Sequence, residues 1–374
     1  MLPEDVDWRR RYTVTAVKDQ GKCGSCWAFA AAETVESYWA RASGELQDLS
    51  VQQILDCAHY TEEEDDNSTS TLPFHALSSN DDDADDDAPP MRRPTKDDPD
   101  DDDDDDHHKS DNSTDPTNTT ETNVTKPERG GCQGGGAPIA AEVVDRMGGL
   151  ETEWKYPYTS YMGKNYKCRY TTEEVQHVKQ TNSTFRSAAQ VHDWLALPLN
   201  NYAETLRHVA LHGPLFVVVD ASAWKFYATG VFNGCPVDNE NVNLNHAVQL
   251  IGYGEDDTLG PYWLVRNSWA AKWGDGGFIR LRRVGGGAEF CGYDTFPLGV
   301  TPEGDEVFAR QKVCGACGIL IMPSFVRVGK PDWMPVNPEG PLPSSLSPRL
   351  RGGNVNVNAE KGEREPERED ILLE

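Results

Sequence analysis

Between Thr61 and Arg129 the chain carries 24 acidic and 6 basic residues, a net charge of −18 within 69 residues. The run Asp100–Asp106 and the blocks Asp81–Asp83 and Asp85–Asp87 repel one another, and the Ser, Thr, Asn and Pro between them offer almost nothing to bury. This segment is expected to be a disordered insert. Whatever folds must therefore be assembled from the sequence on either side of it. The whole chain has a net charge of −27, so the other residues carry only −9. Beyond about Gly329 the sequence again turns Pro-, Gly-, Glu- and Arg-rich, and a flexible tail is expected there.

The acidity excludes classes of partner. Phosphate backbones and anionic lipid both need clustered Lys and Arg, so neither nucleic acid nor a membrane surface is expected. No stretch approaches the ~20 apolar residues that span a bilayer. The opening Met1-Leu2-Pro3-Glu4-Asp5 lacks the basic and apolar regions of a secretory signal. Other features point outward: nine Cys, and Asn-x-Ser/Thr acceptors at Asn67, Asn112, Asn118, Asn123 and Asn182. A secreted, lysosomal or vacuolar protein is expected, beginning at or near a mature N-terminus.

Outside the insert, helical patterns come first. Cys26–Trp39 is Ala-rich and stopped by Gly44. Ser50-Val51-Gln52-Gln53 resembles a capping box opening a helix to Cys57. Ala137–Met147 has Pro138 near its start and Gly148-Gly149 past its end, and Ala203–Leu211 is closed by Gly213-Pro214. Then the period changes. Leu215–Val219, Ala247–Tyr253, Tyr262–Arg266 and Phe278–Arg282 are short β-branched or aromatic runs bounded by Gly, Asp and Pro. Helices followed by strands indicate α+β rather than an alternating sheet.

The chemistry concentrates around Gln20-Gly21-Lys22-Cys23-Gly24-Ser25-Cys26-Trp27. A thiolate is the nucleophilic form of cysteine, and Cys26 stands at a helix start, where unpaired N–H groups favour negative charge. The Gln20 side-chain amide and the Cys26 backbone N–H could hold an oxyanion. A histidine must take the thiol proton and later protonate a leaving amine. His246 stands at the mouth of a strand, and Asn267, at the end of the next, could hold the imidazole without adding charge.

Cys-Gly-Ser-Cys-Trp, a downstream His and then Asn-Ser-Trp together resemble the papain/cathepsin family of cysteine peptidases. Cys26 and His246 are 220 positions apart, or 151 once the insert is set aside, close to the roughly 130–150 of that signature. Val6-Asp7-Trp8-Arg9, Gly131-Cys132-Gln133-Gly134-Gly135, Tyr156-Pro157-Tyr158, Gly252-Tyr253-Gly254 and Trp273-Gly274 fit the same pattern. The resemblance covers 1–60 and 130–300, and so implies a peptidase domain over 1–300, interrupted by 61–129 and followed by an extension over 301–374. It implies a papain-like fold with a helical half, an antiparallel barrel-like half and a cleft between them. It implies thiol-dependent endopeptidase activity through Cys26, His246, Asn267 and Gln20, with a depressed thiol pKa. Bridges Cys23–Cys132, Cys57–Cys168 and Cys235–Cys291 follow from it, with Cys26 free. So do substrate contacts at Gly134 and Gly135, a shielding role for Trp269, and an apolar pocket of Gly136, Ala137, Val218, Ala247 and Phe296. The implied partners are peptide or protein substrates and cystatin-like or propeptide inhibitors, with a monomeric enzyme and no cofactor or metal.

Competing readings stand beside this one. The other eight histidines precede no strand leading to Asn-Ser-Trp, so they belong to surface or core. Cys23–Cys26 could be redox or metal spacing, and Cys314-Gly315-Ala316-Cys317 is best read as a local or intermolecular disulfide. The Asp run lacks the spaced ligands of a calcium loop. An interaction protein working through the insert, or an exopeptidase, are the alternative functions.

Overall fold

A computed structural model describes residues 2–58, 75–76, 130–171, 174, 187–236, 241–284, 289–294 and 311–329. The chain enters through a two-residue strand, β1 (Val6–Asp7), and reaches the long helix α1 (Cys26–Ser43) and then α2 (Val51–Cys57). Of the acidic segment, only β2 (His75–Ala76) is described. After it come α3 (Ala137–Met147), β3 (Gln190–Ala196), α4 (Tyr202–Leu211) and β4 (Leu215–Val219). The remaining strands are β5 (Val231–Phe232), β6 (Asn241–Val242), β7 (His246–Asp256), β8 (Gly260–Arg266), β9 (Phe278–Arg282), β10 (Cys291–Asp294), β11 (Gln311–Cys314) and β12 (Ser324–Gly329).

Helix α1 is buried from Trp27 to Ala40, all the way round rather than on one stripe. Small side chains at Ala28, Ala30, Ala31 and Ala32 let other elements approach it closely. Gly44 ends the helix at φ 81, returning its N–H to the Ala40 carbonyl. The Ser50 hydroxyl caps α2 by accepting the Gln53 N–H at 2.9 Å. The box is only half made, because the Gln53 side chain accepts from the Glu151 N–H instead.

The main sheet runs β2-β3-β12-β4-β7-β8-β9-β5, with β1 added to β7. It is antiparallel except at its ends, where β2–β3 and β5–β9 are parallel, and it stays open among the described residues. Two cores lie against it. One joins α1, α2 and α3 with Phe216, Ala247 and Val326. The other joins the strands of the second half around Trp224, Trp263, Leu250 and Ile279.

Two sequence expectations need correction. The domain does not end at 300: β12 lies inside the main sheet between β3 and β4, with Ser324 opposite both Ala196 and Phe216. Val326 enters the helical core. Ser324–Gly329 is a short run whose strand pattern is hidden by the Pro- and Gly-rich sequence that follows. The third bridge is also different. Cys291 and Cys314 face each other across the β10–β11 ladder and are joined. The turn after β11 carries Cys317 to Cys235, 4.8 Å away between Cα atoms. Cys235–Cys291 is therefore replaced by Cys235–Cys317 and Cys291–Cys314, while Cys23–Cys132 and Cys57–Cys168 are formed. Asn67, Asn112, Asn118, Asn123, Asn182, Phe296, most of the acidic insert and everything after 329 lie outside the described residues.

Candidate active site

Cys26 is the first residue of α1 and the unpaired cysteine of the nine. Its half-buried thiol lies against the second half of the molecule, where the Ala247 backbone reaches it. Strand pairing explains this meeting. Val219 of β4 lies opposite His246, and Val218 opposite Ala247, so the start of β7 is set against the helical half.

The geometry of His246 and Asn267 determines where the imidazole proton sits. Asn267 Oδ1 accepts the Ser268 backbone N–H at 2.8 Å. A backbone N–H can only donate, so that Asn267 atom is the oxygen. His246 Nε2 lies 2.8 Å from the same oxygen and must therefore carry a proton. In the neutral ring Nδ1 is then the proton acceptor. Trp269 covers one imidazole face, with ring centroids 4.7 Å apart and planes 31° apart.

Both groups feel their burial. Burial pushes the Cys26 thiol up, opposed by the backbone groups of Ala247, Trp27 and Cys26 itself. Burial pushes the His246 imidazole down to about 4, opposed by the Asn267 hydrogen bond. Each group taken alone favours its neutral form, the opposite direction from the depressed thiol that the resemblance implies.

Gln20 is held by four bonds, one of them from the Tyr158 hydroxyl to its carbonyl at 2.8 Å. Its backbone N–H donates to the Ser268 carbonyl at 2.9 Å. Ser268 Oγ donates to Gln20 Oε1 at 2.7 Å, and Gln20 Nε2 donates to the Cys23 carbonyl at 3.0 Å. These partners fix which end of the amide is nitrogen and leave a second N–H on Nε2.

Gly134, Gly135 and Gly136 form the approach to α3. At Gly135 a Cβ would stand 2.7 Å from the Trp27 indole, so only glycine lets the backbone run this close to the residue after Cys26. Ala137 and Ala247 are buried in the helical core, and Val218 packs on its edge. Met322, from the turn before β12, packs on the same core and stands with Val218 against the small cluster Val242, Leu244, Val313 and Ile321. Sequence reasoning missed Met322 because it falls beyond the expected domain end. It missed Ser268 as an orienting group although that residue lies within the Asn-Ser-Trp string. It also missed a buried ion network, in which Arg266 Nε lies 3.3 Å from Glu33 and Nη2 lies 3.8 Å from Glu36. Glutamates on an Ala-rich helix give no signal that they are buried. Among the described residues no His/Cys/Asp/Glu group is placed to hold a metal.

The model of the papain family of cysteine proteases matches residues 2–126 and 105–300. Cysteine endopeptidase Rep1 of Oryza sativa subsp. japonica is 32% identical over 76% of this chain and 54% of its own length. Pro-cathepsin H of Medicago truncatula is 30% identical over 79% and 60%. The bromelain protease of Ananas comosus, solved with the E64 inhibitor, superposes with a TM-score of 0.52 at 28% identity, covering 87% of this chain and 99% of its own. The first curated relatives are matched over 54% to 62% of their length, so this chain spans somewhat more than half of each. With the family model extending over most of the chain, His246 bonded to Asn267 and the Cys26 thiol against the Ala247 backbone, the chain belongs to the papain family of cysteine proteases.

Proposed function

We propose that this chain is a thiol-dependent endopeptidase. The observation that carries this reading is the shared oxygen of Asn267, which fixes the proton on His246 Nε2 and leaves Nδ1 free to accept the Cys26 proton. Burial disfavours either charge alone, but a thiolate and an imidazolium formed together offset each other's burial, and the start of α1 adds its own stabilisation. The thiolate then attacks the scissile carbonyl. The Gln20 Nε2 and Cys26 N–H groups hold the oxyanion. On collapse His246 returns its proton to the leaving amine, giving an acyl group on Cys26. A water deprotonated by His246 attacks that acyl group, which frees the acid and restores the thiol.

The endopeptidase reading is supported by the residues along the approach. Gly134, Gly135, Gly136, Ala137, Val218, Ala247 and Met322 carry no charge that could hold a terminal amine or carboxylate. The same apolar set favours a bulky apolar residue two positions before the scissile bond, with Met322, packed beside Val218, added to the expected lining. The likeness to a pro-cathepsin H keeps an exopeptidase as the second reading. Peptide or protein substrates, and cystatin-like or propeptide inhibitors, are the partners that suit such a cleft, acting on a monomer. Four disulfides suit an oxidising, secreted, lysosomal or vacuolar setting, and no described helix is long and apolar enough to cross a membrane.

The test is an internally quenched peptide blocked at both termini. The wild-type chain is expected to cleave it, and Cys26→Ala to lose both cleavage and labelling by a thiol-directed epoxide. Cleavage confined to peptides with a free terminus would favour the exopeptidase, and full activity in Cys26→Ala would refute the proposal.

A further inference from the structure

Trp224 has no place in the reaction just described, yet it is fully buried and its ring meets His246 edge-on, with centroids 6.0 Å apart and planes at 90°. It also meets Trp269 at 6.3 Å and stacks on Trp273 at 6.1 Å. Trp269 is the ring that covers the imidazole, so Trp224 supports His246 directly and through that cover.

Something must hold Trp224 itself, because an indole sitting among other rings could swing between rotamers. Its N–H donates to Cys317 Sγ at 3.3 Å. Cys317 is in turn fixed by the bridge to Cys235, and its carbonyl accepts the Asp220 N–H at 2.8 Å. Asp220 begins the segment laced to the approach of β7. Its carboxylate accepts the Asn243 N–H at 3.0 Å, and Asn245 accepts the Ala221 N–H at 3.0 Å. Cys317 thus reaches the histidine by two routes, one through an aromatic ring and one through the backbone.

We propose that Trp224 is a positioning residue for the catalytic histidine, anchored by its indole N–H to the sulfur of the Cys235–Cys317 disulfide. This inference rests on the peptidase reading. It makes activity depend on two cysteine states at once, a free thiol at Cys26 and an intact bridge at Cys235–Cys317.

Trp224→Phe keeps an aromatic ring and removes the anchoring N–H. Turnover is measured on the blocked peptide and normalised to active sites titrated with a thiol-directed epoxide. The expected result is a fall in kcat of about tenfold with KM unchanged. Cys235→Ala/Cys317→Ala removes the acceptor from the other side and is expected to lower kcat to a similar extent. Combining the two changes is expected to cost no more than the larger one, since both delete the same contact. A loss of packing alone would reduce the titratable sites and leave the kcat per site near wild type, and that result overturns the proposal. A kcat per site within about twofold of wild type in both variants overturns it as well. If Trp224→Phe yields no folded protein, the kcat of the cysteine variant decides in the same way. Absence of cleavage by the wild-type chain would refute the peptidase reading first, and this inference with it.

Discussion

Ser268 serves both amides of the site. Its N–H donates to Asn267 Oδ1, its Oγ donates to Gln20 Oε1, and its carbonyl accepts the Gln20 N–H. Asparagine and glutamine side chains have two ends of nearly equal shape, so a site using both must be told which end is oxygen. A backbone N–H does this for Asn267 regardless of the Ser268 side chain; for Gln20 the Cys23 carbonyl, which can only accept, marks the nitrogen, and the Ser268 hydroxyl then holds the oxygen. Ser268→Ala should therefore leave the His246 tautomer intact and loosen only Gln20. Losing an oxyanion donor outright costs on the order of 100-fold in kcat or more. Loosening one should cost less, roughly three- to tenfold, with KM unchanged, measured on the blocked peptide. A loss as large as that of Gln20→Ala would mean that Ser268 acts on more than Gln20. At this scale the sequence is most legible, since the residues proposed to act, Cys26, His246, Asn267 and Gln20, are picked out by the chemistry that such a reaction requires. Ser268 is not, because any residue can supply a backbone N–H.

Between elements, α1 and β8 must keep Cys26 and Asn267 in step, and their joint is ionic. Arg266 precedes Asn267 and points into α1 at Glu33 and Glu36, all three side chains being fully or almost fully buried. Lys18 also bonds Glu36. The Thr15 hydroxyl donates to Glu36 at 2.6 Å, and its carbonyl accepts from Arg266 Nη1 at 3.0 Å. Burial holds the Glu33 carboxyl well above its usual range, at about 7, with Arg266 and Lys18 pulling it back. Breaking a buried pair from one side leaves the other charge stranded. Arg266→Met should therefore cost about 3–5 kcal/mol in urea unfolding, far more than a surface pair. Arg266→Lys should recover part of it, since Lys keeps the charge but not the fork. A cost below about 1 kcal/mol for Arg266→Met would place this joint with the surface pairs. None of this is readable from the helix sequence. A helical period places Glu33 and Glu36 on one face but does not say that the face is buried.

Across the whole molecule, the sequence marks the order of helices and strands but not how far the fold continues. Ser324–Gly329 lies far from the motifs around Cys26, yet β12 fills the gap between β3 and β4 and brings Phe325 beside α1 and α4. There it meets Tyr38 at 6.0 Å and His208 at 4.2 Å between ring centroids. His208 is the polar member of this three-way junction. Its Nε2 lies 2.6 Å from the Tyr38 hydroxyl. Burial pushes the imidazole down to about 3, and the nearby His212, Arg41 and Arg207 push in the same direction. The folded state therefore binds this proton more weakly than the unfolded chain, whose histidine titrates near 6.5. Stability is then fully present above about 6.5 and falls as the pH drops toward 3. The same linkage puts the loss at about 2 kcal/mol by pH 5. An acidic compartment would thus be a mechanical load on the junction of α1, α4 and β12. His208→Gln keeps a partner for Tyr38 and removes the titration. Urea unfolding at pH 7.5 and pH 5 should show the variant losing about 2 kcal/mol less than the wild type over that interval. An equal loss in both proteins would mean that His208 is protonated in the fold at no cost, and the acid sensitivity would have to be sought at His246, the other buried histidine whose imidazole is pushed down.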